Sequence, residues 1–164
     1  MGDKGLEEVF SRLSQNLSRD SLVQKTTDHL LNRLGCDRVV IYYFYAKWEG
    51  QVTFESLSDQ AYSIFGSQGP DECFNQDYAG LYEANRVGLV NNLEDAAIAD
   101  CHRDFLRNLK VKANLVVPIL VKRGLWGLLI AHHCQQSHVW TEAEIKLMQQ
   151  SAAQLAGSDS ISSN

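Results

Sequence analysis

Apolar residues recur at helical spacing along the first 34 positions. Leu6, Val9, Phe10, Leu13 and Leu17 mark one stripe, and Leu22, Val23, Thr26, Leu30, Leu31 and Leu34 mark a second after Ser18-Arg19-Asp20. Asp20 or Ser21 can cap the second helix and Gly35 can end it, which predicts two helices with a short break. From Asp37 to Ala46 the period changes to two: Val39, Ile41, Tyr43 and Tyr45 fall on one side of a strand, Val40, Tyr42 and Phe44 on the other. Both faces are apolar, so both are expected to be covered. Glu49-Gly50 reads as a turn into a second strand, Val52 to Leu57.

Ser58 to Val90 carries scattered aromatics, Gly66, Gly69-Pro70, Gly80 and one short strand candidate, Val87 to Val90. A loop-rich stretch of this length inside a compact domain is a place to look for function. Cys101 to Leu109 reads as a short helix with Asp100 as its N-cap. Ala113 to Val121 and Leu125 to Cys134 are apolar strands separated by the turn Lys122-Arg123-Gly124. Thr141-Glu142-Ala143-Glu144 is a capping box that opens a last helix to about Ala156, after which serines and a glycine predict a frayed end. The order of elements predicts an α+β fold: a central antiparallel sheet, terminal helices on one face and a pocket on the other.

Composition narrows the setting. The chain has 164 residues, 45% hydrophobic and 21% charged, with a net charge of −5. That predicts one domain, residues 1–164, and argues against non-specific nucleic-acid binding. No apolar run reaches the ~18 residues of a membrane span, and no signal-peptide pattern opens the chain, so a cytoplasmic domain is expected, even if a parent receptor were membrane-attached. The four cysteines, at 36, 73, 101 and 134, form no Cys-x-x-Cys pair. Reduced thiols are expected, without a disulfide framework or a closed zinc site. His132 and Cys134 share a strand face, but two ligands do not make a metal site.

Two of these cysteines stand in distinctive surroundings: Asp71-Glu72-Cys73-Phe74 and Asp100-Cys101-His102-Arg103. With Gly35-Cys36-Asp37-Arg38-Val39, Val111 to Ile119 and Leu125 to His132, they resemble the bilin-binding GAF domains of cyanobacteriochrome photoreceptors, relatives of phytochrome, over a core of about residues 20–157. The paired thiol motifs resemble the dual-cysteine (Asp-x-Cys-Phe) subgroup.

The resemblance implies a linear tetrapyrrole, phycocyanobilin or phycoviolobilin, held covalently. Cys101 would be the permanent anchor, and its place at a helix N-terminus favours the nucleophilic thiolate. Taken alone, the same cysteine reads as a small buried residue of an amphipathic helix. Cys73 would add reversibly to the methine bridge between the B and C rings, coupling 15Z/15E photoisomerisation to a blue/green-type colour change. Asp71 would face the pyrrole nitrogens and His102 would pack on the bilin. Phe74 would lie beside the D ring or serve simply as a core aromatic. Arg86 would clamp a propionate, unless it is a solvated surface arginine. His132 matches a position near the D-ring carbonyl, and Tyr78, Tyr82, Phe105 and Asn114 are further pocket candidates. No metabolic catalysis is implied beyond self-attachment and a slow phycocyanobilin-to-phycoviolobilin isomerisation. An output domain of kinase, cyclase or chemoreceptor type would lie elsewhere in a longer receptor. The amphipathic ends, Leu6 to Leu17 and Ile145 to Leu155, would connect to it, pair in a homodimer or pack on the sheet.

Two other readings keep the fold. A GAF domain for a diffusible small molecule, such as a cyclic nucleotide, needs neither thiol. A thiol-dependent redox enzyme would use Cys73 and Cys101 as a dithiol pair.

Overall fold

The computed structural model describes residues 2–46, 49–68 and 82–163. Asp71, Cys73, Phe74 and Tyr78 lie outside them. Five strands form one antiparallel sheet: β1 (Arg38–Ala46), β2 (Glu49–Leu57), β3 (Gly88–Val90), β4 (Ala113–Val121) and β5 (Gly124–His133), in the order β2-β1-β5-β4-β3. The helices are α1 (Gly2–Arg19), α2 (Ser21–Leu34), α3 (Asp100–Asn108), α4 (Glu142–Ala156) and α5 (Asp159–Ser162). The α+β expectation therefore holds.

Period-two alternation divides the core. Val39 and Ile41 of β1, Leu115 and Val117 of β4, and Leu129 and Ala131 of β5 point to one face, where α1, α2 and α4 bring Leu13, Leu17, Val23, Leu30, Met148 and Leu155. Val40, Tyr42, Val116 and Leu128 point to the other face, with Val52 and Tyr82. Burying each of these aliphatic side chains contributes roughly 1.5–3 kcal/mol, so the helical face forms the larger apolar core.

The caps follow the sequence. Asp20 accepts from the amides of Leu22 and Val23, and Gly35 ends α2 at φ 59, a left-handed conformation suited to glycine. Thr141 and Glu144 form the expected reciprocal box at the start of α4. Pro118 sits inside β4, beyond the Asn114–Val116 span that pairs with β3, so no ladder bond to β3 is lost there.

Three expectations are corrected. Glu49-Gly50 is not a turn but the start of β2, with Gly50 opposite Phe44. A β-carbon on Gly50 would fall 2.1 Å from the Tyr43 carbonyl oxygen, so this glycine permits close strand approach. Helix α3 is capped by Ala99 without a side-chain bond, and Asp100 is its first residue. The C-terminus does not simply fray: Ile161 is fully buried, and Ser160 Oγ donates to Asp20 Oδ2 and to the Asn16 carbonyl. One apolar side chain among serines folds a last turn back onto α1.

No helix among the described residues is long and apolar enough to cross a membrane. No group of three or more His, Cys, Asp or Glu side chains there could hold a metal ion.

Candidate functional site

The face of the sheet away from α1, α2 and α4 forms the floor of a pocket. Because β1, β4 and β5 alternate in register, Val40, Tyr42, Val116, Leu128 and Ile130 present an apolar surface, with Asn114 opposite His132 at one end. Helix α3 supplies one wall through His102, Phe105 and Leu106, and Ile64 to Gln68 and Tyr82 to Leu89 contribute others. The space within, counting its open mouth, is about 820 Å³. Its make-up, an apolar lining with a few placed polar groups, is that of a small-molecule site.

Arginines lock this wall in place. Arg103 donates to the carbonyls of Leu93 (2.5 Å), Glu94 (3.1 Å) and Ala96 (2.7 Å), tying α3 to the segment before it. Arg107 pairs with Glu94 at 2.5 Å on the surface. Beneath α3, Leu93, Leu106 and Val111 pack with Val90 in a separate small core.

Six sequence-derived candidates line this one pocket: Tyr82, Arg86, His102, Phe105, Asn114 and His132. The Arg86 guanidinium carbon lies 5.3 Å from the centre of the Tyr82 ring, a cation–π arrangement. His102 is half-buried, and burial, aided by the positive charge of Arg86, lowers its pKa and favours the neutral imidazole. Asn114 is buried, and its Oδ1 has no hydrogen-bond partner. Such an orphan acceptor at a pocket floor is suited to a ligand N–H.

Cys101 precedes His102 on the first turn of α3 and is exposed rather than buried, contrary to its simplest reading as a core residue. Its sulfur is engaged in a disulfide, which corrects the expectation of reduced thiols throughout; Cys36 and Cys134 are free and buried. Burial pushes the Cys36 thiol up to about 12 and also raises that of Cys134, so both are poor nucleophiles.

Arg38 is a residue that sequence reasoning left in the scaffold. It is 1% exposed, and donates through Nε to His132 Nδ1 at 3.0 Å. Through Nη1 and Nη2 it donates to the carbonyls of Tyr62 and Leu109, each at 2.5 Å. A charged residue opening a strand of apolar neighbours, in period with Val40 and Tyr42 of the pocket face, is the signal that could have flagged it.

Comparisons with known proteins agree with this architecture. The GAF domain family model matches residues 18–158. An uncharacterized protein of Picosynechococcus is 46% identical over 157 residues, 96% of each chain. The circadian input-output histidine kinase CikA of Synechocystis is 28% identical over 176 residues, 93% of this chain but only 24% of the kinase. Among solved structures, the blue-light-absorbing form of the Thermosynechococcus elongatus PixJ GAF domain superposes with a TM-score of 0.74 at 31% identity, covering 85% of each chain. A phycoerythrobilin-bound GAF domain from a cyanobacterial phytochrome gives 0.72 at 26% identity, covering 92% of this chain and 91% of that one. A sheet with helices on one face and a pocket on the other, matched along nearly its whole length by this family's sequence pattern, makes the chain a member of the GAF domain family.

Proposed function

We propose that this chain is the bilin-binding sensory module of a photoreceptor, with Cys101 as its permanent attachment point and Cys73 as a second, reversible one. The observation that carries the reading is the position of His102: one residue after Cys101 on α3, it lines an apolar slot that also gathers Tyr82, Arg86, Phe105, Asn114 and His132. The likeness to the PixJ and phycoerythrobilin-bound domains supports a tetrapyrrole as the occupant.

The donor set fits such a molecule. When bound, a bilin would supply light absorption and isomerisation about a double bond. Val40, Val116, Leu128 and Ile130 offer a flat apolar floor, and Phe105 an aromatic wall. Arg86 can bind a propionate carboxylate through paired N–H groups. Cys101 in its reduced form adds across a side-chain double bond: sulfur bonds to one carbon and the thiol proton goes to the other, with no net redox change. Cys73 adds in the same balanced way to a bridging carbon and leaves by the reverse step. Asp71, Phe74 and Tyr78 extend the proposed site from sequence alone. Phycocyanobilin or phycoviolobilin, an output domain in a longer receptor, and a homodimer belong to this reading too.

The test is the absorption spectrum of reduced protein co-produced with phycocyanobilin, before and after blue illumination, for the native chain, Cys73→Ala and Cys101→Ala. Reversible conversion from blue to longer wavelength, lost in Cys73→Ala, is expected, as is loss of covalent colour on denaturing gels in Cys101→Ala. A coloured protein indifferent to Cys73 would remove the second thioether and keep the sensor. A colourless native protein would overturn the proposal.

A further inference from the structure

We propose that Arg38 is a positioning residue that fixes the ring of His132 as the neutral tautomer with its proton on Nε2, so that this end of the pocket always offers a single N–H donor to a carbonyl-type acceptor of the ligand. The ligand class rests on the bilin reading above; the state of the ring does not.

The chemistry of the pair leaves one arrangement. A guanidinium has five N–H donors and no acceptor, and it stays protonated in proteins. Arg38 Nε reaches His132 Nδ1 at 3.0 Å, so Nδ1 must accept. An accepting Nδ1 carries no proton, and the ring's proton then sits on Nε2. That atom has no hydrogen-bond partner among the described residues, on a side chain that lines the pocket.

The guanidinium cannot easily turn away. Its other two nitrogens hold the carbonyls of Tyr62 and Leu109, joining β1 to the loop after β2 and to the end of α3. Arg38 and His132 also face each other in the β1–β5 register. No carboxylate forms an ion pair with either among the described residues. The other titratable groups nearby are Asp37 and Cys134, flanking the pair in sequence, Glu55 and Tyr62 beside the arginine, and Arg86 and His102 across the pocket. Burial, with the Arg38 charge adding to it, holds His132 well below its ordinary pKa. Protonation would place two cations against each other in a buried site. Across the strands, the orphan Oδ1 of Asn114 complements the fixed donor, and the two together suit a lactam edge that carries both C=O and N–H.

The experiment is long-range ¹H–¹⁵N correlation of histidine-labelled protein from pH 5 to 9, on the unloaded chain and on the bilin-loaded one. A charge-assisted bond of this kind predicts a preference of about tenfold or more for the Nε2–H tautomer, without titration, in both samples. A His132 ring that titrates in the ordinary range, or carries its proton on Nδ1, would overturn the assignment. Arg38→Met supplies the second arm: where circular dichroism shows it folded, both tautomers should be populated. A folded Arg38→Met with the native ring state would also overturn it. The unloaded sample keeps this result separate from the bilin reading, which a colourless loaded sample would remove on its own.

Discussion

The hydroxyl of Tyr82 lies over Gly88 so closely that a β-carbon built on the glycine would fall 2.4 Å from it, and 3.3 Å from Val116 Cβ. The glycine therefore sets how near the Tyr82 ring, with Arg86 against it, can come to the sheet.

Gly88→Ala should displace that ring. Val116 belongs to a paired strand and gives little, so the tyrosine must move, at a cost of about 1–3 kcal/mol typical of overpacking. Urea unfolding of unloaded protein measures the cost. In loaded protein the same change should shift the absorption maximum, since one pocket wall has moved. Unchanged stability together with an unchanged spectrum would show that the Tyr82 contact is slack.

Cys36, Cys101 and Cys134 should differ in reactivity. Cys36, with its thiol pushed up to about 12, has about a thousandfold less thiolate than one with the reference value of 9.0. Cys134 is also raised and buried. Alkylation at pH 8, read by peptide mass spectrometry on reduced protein, should leave both unmodified until denaturant is added, while the exposed Cys101 is labelled. Prompt labelling of Cys36 in the folded state would contradict its burial.

Much of this arrangement is legible in the sequence. Val39 and Ile41 against Val40 and Tyr42 sort to opposite faces because a strand's period is exact, and the Thr141–Glu144 box forms because its two bonds are local. Arg38 escaped because its partners come from 24, 71 and 94 positions away, beyond any local pattern. Ile161 escaped for a related reason: its burial depends on α1 lying beside the C-terminus, which no repeat in the last residues announces. The pocket residues emerged through family resemblance, since Tyr82, His102 and Asn114 share no spacing that would unite them.

Asp37 should make the fold acid-sensitive. Burial raises its pKa, but bonds from the Cys134 amide (2.8 Å), the Gln135 side chain (2.7 Å) and the Ser58 hydroxyl (3.1 Å) outweigh that and leave it below the usual carboxylate range. A depressed folded-state pKa stabilises above the unfolded value, and the benefit is lost as pH falls through the folded one. Asp37→Asn should cost roughly 1–3 kcal/mol near pH 7, because one amide donor now faces another donor. Urea midpoints across the pH range should show the gap between the two proteins narrowing as the carboxylate protonates. A constant gap from pH 7 to 2 would assign the loss to packing alone.

Asn114 should show opposite signs for stability and binding. Its buried Oδ1 lacks a partner in the unloaded chain, and an unmet acceptor of this kind costs about 1–3 kcal/mol. Leucine has the same branched outline and no polar atom to strand, and the pocket beside it has room for the larger methyls, so Asn114→Leu should raise the urea midpoint of the unloaded protein. The same substitution removes the acceptor opposite His132 at the polar end of the pocket, and should weaken bilin retention or shift its absorption. Stabilisation with impaired binding is the pattern expected of a polar group kept for its ligand rather than for the fold. A destabilised Asn114→Leu with normal bilin binding would instead make the amide a structural residue of the sheet, and would remove it from the site.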